Sequence, residues 1–213
     1  YLAVLSGNIE LMPLLMKKGD QEKIFKKLEM MRTTCDKIAK FTDGLMDGGP
    51  EETTFYPHNV NQIIENVLAF LKPQNKFDRV EFRTELDSGL PQAPVDAGQI
   101  QQLLVNLITN AADALAERKE GALCTIRSFS GTHDGFPCVH IHVQDNGSGV
   151  ALDKVELLFV QRFTTKKRGH GIGLITCKKI IDSHRGVIAY RHEGGALFSV
   201  ALPVVAPSDQ HQS

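Results

Sequence analysis

Asn106, Asn110 and Asp113 stand four and three residues apart in Asn106-Leu107-Ile108-Thr109-Asn110-Ala111-Ala112-Asp113-Ala114-Leu115, so on a helix they share one face. Val105, Ile108, Ala112 and Leu115 are then free to face a core. An amide oxygen is a hard, neutral ligand, suited to complete the shell of a hydrated Mg²⁺ that a triphosphate already carries. Taken alone, an Asn on a helix is more often a solvated or capping residue.

Asp145-Asn146-Gly147-Ser148-Gly149-Val150 follows a strand-like run. A carboxylate at a strand end can accept a hydrogen bond from an exocyclic amine such as that of adenine, and Gly147 and Gly149 let backbone lie against a flat base. A lone D-x-G-x-G is more often a turn. Further on come Phe163-Thr164-Thr165-Lys166 and Gly169-His170-Gly171-Ile172-Gly173-Leu174. Alternate glycines opening a helix free backbone N–H groups for phosphate oxygens. Lys166 and Arg168 add positive charge, and Thr164 and Thr165 either bond phosphate or order the loop. The run is not a Walker loop, since G-K-[ST] is absent, and no βαβ unit surrounds it to make a dinucleotide fingerprint. Gly194-Gly195-Ala196-Leu197-Phe198-Ser199-Val200-Ala201-Leu202-Pro203 is a glycine turn feeding a strand, structural by itself.

Those groups need elements to hold them. Leu2, Leu5, Ile9, Met12 and Met16 recur at helical spacing, Lys17-Lys18-Gly19-Asp20 stops and recaps the chain, and Ile24, Leu28, Met31, Cys35, Ile38 and Leu45 continue the stripe on a second helix. An αα-hairpin cannot hide both stripes, and pairing two hairpins into a four-helix bundle would. Packing on the rest of the same chain is the alternative. Asp47-Gly48-Gly49-Pro50-Glu51-Glu52 reads as a linker. Beyond it the pattern predicts a helix over 60–71 capped by Asn59, a strand over 79–86, a helix over 97–117 and strands near 122–128 and 138–144. A helix over 172–183, strands near 187–191 and 197–202, and a polar tail over 206–213 follow. Segregated helices and mostly antiparallel strands make an α+β sandwich.

The chain has 213 residues, 24 basic and 25 acidic side chains and a net charge of -1, which gives no electrostatic case for nucleic acid or an anionic membrane. No apolar run reaches the roughly 20 residues that span a bilayer. The four cysteines (Cys35, Cys124, Cys138, Cys177) include no C-x-x-C pair, so reduced thiols in a cytoplasmic protein are expected. The chain opens at Tyr1 inside an apolar helical pattern, as a fragment would, and any membrane association belongs to upstream segments.

In this order and at these distances the four motifs resemble the N box, first glycine box, F box and second glycine box of bacterial sensor histidine kinases, within the superfamily that includes gyrase and MutL. Asn59-Val60-Asn61-Gln62-Ile63-Ile64 looks like that family's first ATPase-domain helix. Leu90-Pro91 and Val95-Asp96-Ala97-Gly98-Gln99-Ile100-Gln101-Gln102 look like its approach to the N box. The closest flavour is the nitrogen-regulation type, with a short lid and Asp113 where many relatives carry Lys or Arg.

The resemblance implies a partial dimerisation and phosphotransfer hairpin over 1–48, a catalytic ATP-binding domain of Bergerat type over 54–205 and a tail over 206–213. It assigns Mg²⁺ to Asn110, the adenine amine to Asp145, the base lining to Gly147 and Gly149, and the phosphates to the lid containing Gly169, Gly171 and Gly173. Asn106, Asp113, Thr164, Thr165, Lys166, His170, Ile172 and Leu174 complete the expected ATP contacts. It also implies ATP and Mg²⁺ as ligands, a homodimer through the N-terminal helices and a response-regulator receiver domain as partner. Gyrase and MutL place a glutamate base at the position of Asn106; an amide takes a proton poorly, so transfer to a protein acceptor is favoured over hydrolysis.

The acceptor histidine is missing, and is expected a few residues before Tyr1. His184 resembles the histidine that commonly ends its helix and reads as structural. Val160-Gln161-Arg162 departs from the family's E-P-F, which bears on the lid. The competing readings are a kinase-like phosphotransfer or scaffold protein without ATP-dependent activity, and a hydrolytic ATPase.

Overall fold

The computed structural model describes residues 2–46, 55–118, 120–160 and 173–205. The expected linker, the F box, the lid up to Ile172, and the polar tail lie outside the described residues.

Two helices come first, α1 (Leu2–Lys18) and α2 (Gln21–Met46). Gly19 separates them at φ 65°, a conformation that favours glycine, and Asp20 accepts Lys23 N–H at 3.2 Å to start α2. The stop and cap expected at 17–20 are therefore present. The helices touch each other, and α2 also touches α3 (Val60–Leu71) and α4 (Ala97–Ala114). Much of the apolar stripe remains in solvent: Ile9, Met16 and Leu28 are 56%, 67% and 48% exposed, and Phe25 is 70% exposed.

The remainder is one α+β layer pair. Strands β2 (Glu81–Leu86), β4 (Leu123–His133), β5 (Phe136–Asp145), β7 (Ala196–Pro203) and β6 (Val187–His192) lie in that spatial order. β2 runs parallel to β4 and every other pair is antiparallel. β1 (Tyr56–His58) and β3 (Ala93–Val95) form a separate antiparallel pair. Helices α3, α4 and α5 (Gly173–Ser183) pack with one face of the sheet to make a single apolar core. Ile100, Leu103, Leu104, Leu107 and Ile108 of α4 meet Ile126, Ile141 and Val200 there, all buried. Each such side chain contributes about 1.5–3 kcal/mol of transfer free energy, which fixes α4 against the sheet.

Local chemistry sets the boundaries. Asn59 caps α3 by accepting Asn61 N–H at 3.0 Å, and Asp96 caps α4 by accepting Gln99 N–H at 3.0 Å. α4 ends at Ala114, earlier than the expected 117, because the chain turns: Arg118 N–H bonds Leu115 O at 2.9 Å. β4 and β5 are longer than expected and meet at Asp134-Gly135, with φ of 49° and 83°. Two consecutive positive φ values are the turn geometry that Asp-Gly favours in a tight hairpin. The β1–β3 pair was not expected, because Pro57 and Pro94 sit opposite each other within it and proline argues against a strand.

Candidate functional site

Three elements converge. One face of α4 carries Asn106, Asn110 and Asp113. The end of β5 delivers Asp145, and the loop beyond it carries Gly147 and Gly149. The first turn of α5 carries Gly173 and Leu174.

Asp145 is buried, 4% exposed. Its Oδ1 accepts the N–H of Gly147 at 2.8 Å and that of Ala196 at 3.3 Å. Burial pushes its carboxyl above the ordinary value of 3.8; the two N–H groups and the nearby charge of His192 pull the other way. The strand register makes this position possible. Gly195 passes so close to Asp145 O that an added Cβ would collide with it, which lets β7 begin beside the carboxylate.

The loop after β5 is clamped on both sides. Asn146 accepts Leu123 N–H at 3.0 Å and donates to Gly121 O at 2.8 Å, while Arg118 donates to Asn146 O at 2.7 Å. A Cβ on Gly147 would lie 2.9 Å from Asp145 Oδ1 and 3.1 Å from Ala114 O. Gly149 has φ 68°, and a Cβ there would run into the His192 ring and approach the Tyr190 hydroxyl at 3.1 Å. The same hydroxyl accepts Val150 N–H at 2.9 Å. Glycine at both positions lets the loop backbone pack directly against Asp145 and Ala114 on one side and against Tyr190 and His192 on the other.

At the other end of α4, Asn106 Nδ2 lies 3.5 Å from Gly173 O, joining the N-box helix to the start of α5. Cys177 packs beneath this contact, fully buried, with Sγ 3.9 Å from Leu103 O and its thiol pushed up to about 12 by burial, so it is a neutral filler. The face of α4 therefore runs from Asn106 beside α5, past Asn110 and Asp113, to Ala114 beside the Asp145 loop. Asp113 also pairs with Lys76 Nζ at 2.7 Å. A cleft of about 330 Å³ lies on the neighbouring flank of α4, among Asn75, Arg79, Val80, Leu115 and Ala116, and not between the motifs.

Asn106, Asn110, Asp113, Asp145, Gly147, Gly149, Gly173 and Leu174 are thus brought to one side of the sheet. Thr164, Thr165, Lys166, Gly169, His170, Gly171 and Ile172 lie outside the described residues, as do Gln161, Arg162 and Arg168. Sequence reasoning missed Tyr190 and His192, which back the glycine loop, and Lys76. On β6, residues 190 and 192 alternate to the helix side of the sheet, a period-two signal that was available. For Lys76 no local signal existed.

The arrangement can grip a base with a buried anionic acceptor and offer amides to a hydrated cation a short way along the same helix. The donor set, a buried carboxylate and neutral side-chain amides on one helix, is of the chemical kind that suits an adenine nucleotide with a hard divalent cation. The carboxylate has a second oxygen, Oδ2, with no hydrogen bond to any described residue.

Comparison with known proteins agrees. The family model for histidine kinase-, DNA gyrase B- and HSP90-like ATPases matches residues 95–206. The sensor protein TdiS of Thauera aromatica is 35% identical over 179 residues, covering 83% of this chain and 30% of that protein. The sensor histidine kinase ZraS of Salmonella typhimurium is 31% identical over 181 residues, covering 84% of this chain and 38% of that protein. The chain therefore spans only 30% and 38% of the length of these two relatives. Among solved structures, the catalytic domain of the histidine kinase ThkA superposes with a TM-score of 0.61 at 30% identity, covering 70% of this chain and 95% of that one. A complex of ThkA with the response regulator TrrA matches 94% of this chain and 59% of that one at a TM-score of 0.59 and 22% identity.

Proposed function

The chain belongs to the histidine kinase-, DNA gyrase B- and HSP90-like ATPase family, and on that premise we propose that it is the kinase core of a bacterial sensor histidine kinase in a two-component system. It binds Mg-ATP on the α4 face and transfers the γ-phosphate to a histidine on the first helix, a few residues before Tyr1 in the parent chain. From there the phosphate passes to an aspartate of a response-regulator receiver domain. The observation that carries this reading is the buried Asp145 carboxylate, held through one oxygen by Gly147 and Ala196 beside the Asn-bearing face of α4.

The residues divide the work by position. Asp145 accepts the adenine amine, and Gly147 and Gly149 keep the base plane clear. Asn110 is the residue that would hold Mg²⁺, which when bound offsets triphosphate charge. Residues 164–174 are assigned to the phosphates by their resemblance to the family's lid. Asn106 presents an amide, which orients but does not deprotonate water, so transfer is favoured over hydrolysis. Positioning and electrostatics supply most of the rate in such reactions.

Helices α1 and α2 are read as part of the hairpin that dimerises and receives phosphate. Their exposed Ile9, Met16, Phe25 and Leu28 need a second copy to cover them, and the match to the ThkA–TrrA complex extends over this region. On the two-component reading the kinase core works in the cytoplasm, with its ATP and its response regulator. Among the described residues, no helix is long and apolar enough to cross a membrane.

The test is a longer chain that includes the residues before Tyr1, incubated with γ-labelled ATP and Mg²⁺. The expected product is an acid-labile, base-stable phosphoprotein. Release of inorganic phosphate with no labelled protein supports a hydrolytic ATPase instead, and absence of ATP binding supports a phosphotransfer scaffold.

A further inference from the structure

The loop that follows β5 is pinned at two points. Gly147 N–H bonds Asp145 Oδ1 at 2.8 Å, and Val150 N–H bonds the Tyr190 hydroxyl at 2.9 Å. Between the two pins lie Ser148 and Gly149, the latter at φ 68° with the His192 ring directly behind it. On the nucleotide reading above, a base that reaches Asp145 lies against this short stretch of backbone, so the second pin sets where the base meets it.

Tyr190 is itself held by the sheet. It stands on β6 directly opposite Phe198 of β7, with ring centroids 5.4 Å apart, and Phe198 is buried in the core. His192, on the same face, stands opposite Ala196, whose N–H bonds Asp145 Oδ1 at 3.3 Å. One strand pair therefore fixes both the carboxylate and the far end of the loop. A phenylalanine would fill the same space against Phe198. What the tyrosine adds is a hydroxyl, and among the described residues the one hydrogen bond of that hydroxyl is to the loop. A hydroxyl rooted in the sheet gives the loop amide a fixed partner in place of water.

We propose that Tyr190 is a positioning residue for the adenine base: by holding Val150 it fixes the 147–150 backbone at the place from which that backbone meets a base gripped by Asp145. The proposal rests on the nucleotide reading and deepens it. It concerns the base and not the phosphates, because Tyr190 sits on the side of the loop away from α4 and its asparagines. Tyr190→Phe keeps the ring against Phe198 and leaves the Val150 N–H without its partner.

Isothermal titration of the wild-type chain, Tyr190→Phe and Ile188→Val, each with Mg-ATP and with adenosine, tests it, with urea unfolding of each variant alongside. Tyr190→Phe is expected to weaken Mg-ATP and adenosine by the same factor, roughly fivefold, the worth of one net hydrogen bond. The Mg²⁺ dependence of ATP binding is expected to stay as in the wild type. Ile188 is a buried core residue on the same strand. Ile188→Val is expected to lower stability and to leave both affinities within about twofold of wild type. Unchanged ATP and adenosine affinity in Tyr190→Phe, a loss confined to ATP, or an Ile188→Val variant that binds as weakly as Tyr190→Phe each overturns the role of Tyr190. A wild-type chain that binds no nucleotide overturns the site reading, and this proposal with it.

Discussion

His184, just beyond α5, accepts the backbone N–H of Asp96 on its Nε2 at 3.1 Å, which ties the end of one helix to the start of another. Asp96 is the N-cap of α4, so the imidazole satisfies the donor that a capping-box side chain otherwise reaches. Nδ1 lies 2.7 Å from Ile180 O, which requires the Nδ1–H tautomer, and Phe55 abuts the ring edge-on at 5.0 Å.

Burial is the main cause that holds His184 below its ordinary value of 6.5. The neutral form is the folded form, so its contribution to stability is full above about 6.5 and is lost as pH falls through that value toward the lower folded-state pKa. Urea unfolding of the wild-type chain should show declining stability between neutral and mildly acidic pH. His184→Ala should cost about 2 kcal/mol at neutral pH, from an orphaned buried N–H and a cavity, and should flatten the pH dependence.

Asp145 has the opposite linkage. Its folded-state pKa is raised, chiefly by burial, so its stability contribution is present below the ordinary 3.8 and is lost as pH rises through the folded value. Asp145→Asn should therefore melt about 2–4 °C higher than wild type at neutral pH without nucleotide, the shift expected for about 1 kcal/mol. The same variant should bind ATP roughly 10–100-fold more weakly, the worth of a hydrogen bond to a charged group. In the wild type, ATP affinity should fall on acidification at a pH above the usual carboxylate range.

Gly149→Ala forces a Cβ into the space of the His192 ring, 2.8 Å from its Cε1, at φ 68°. A non-glycine residue in that conformation costs about 1–2 kcal/mol. Chemical denaturation should register that loss, and ATP affinity should drop with it. His192→Ala in the same chain should return part of the affinity by removing the clash, while leaving the backbone cost in place.

The exposed stripe on α1 and α2 predicts self-association. Sedimentation equilibrium of the chain should give a dimer mass at micromolar concentration, and Phe25→Glu with Leu28→Glu should give a monomer that still binds ATP. A wild-type monomer at all concentrations would count against the bundle reading.

Periodicity and caps made α3, α4, α5 and most of the sheet legible, since Asn59 and Asp96 are local signals with local partners. The Asp134-Gly135 turn was equally legible as a hairpin signal and was overlooked. The β1–β3 pair was not, because two prolines mask a strand that needs only its unblocked groups to bond. In the site, Asp145 and its glycines could be singled out from their spacing. Their support could not: Tyr190, His192 and Gly195 act by where the sheet register puts them, and Lys76 reaches Asp113 only after the core fixes Phe77.

The central claim is that the α4 face, the Asp145 loop and the start of α5 form one Mg²⁺-dependent adenine-nucleotide site. Calorimetric titration of the chain with ATP and with GTP, each with and without Mg²⁺, tests it most directly. One site is expected, with ATP binding roughly tenfold or more tighter with Mg²⁺ and tighter than GTP by a similar factor, and with the Mg²⁺ dependence lost in Asn110→Ala. Equal affinity for the two bases, or ATP binding indifferent to both Mg²⁺ and Asn110, would contradict it.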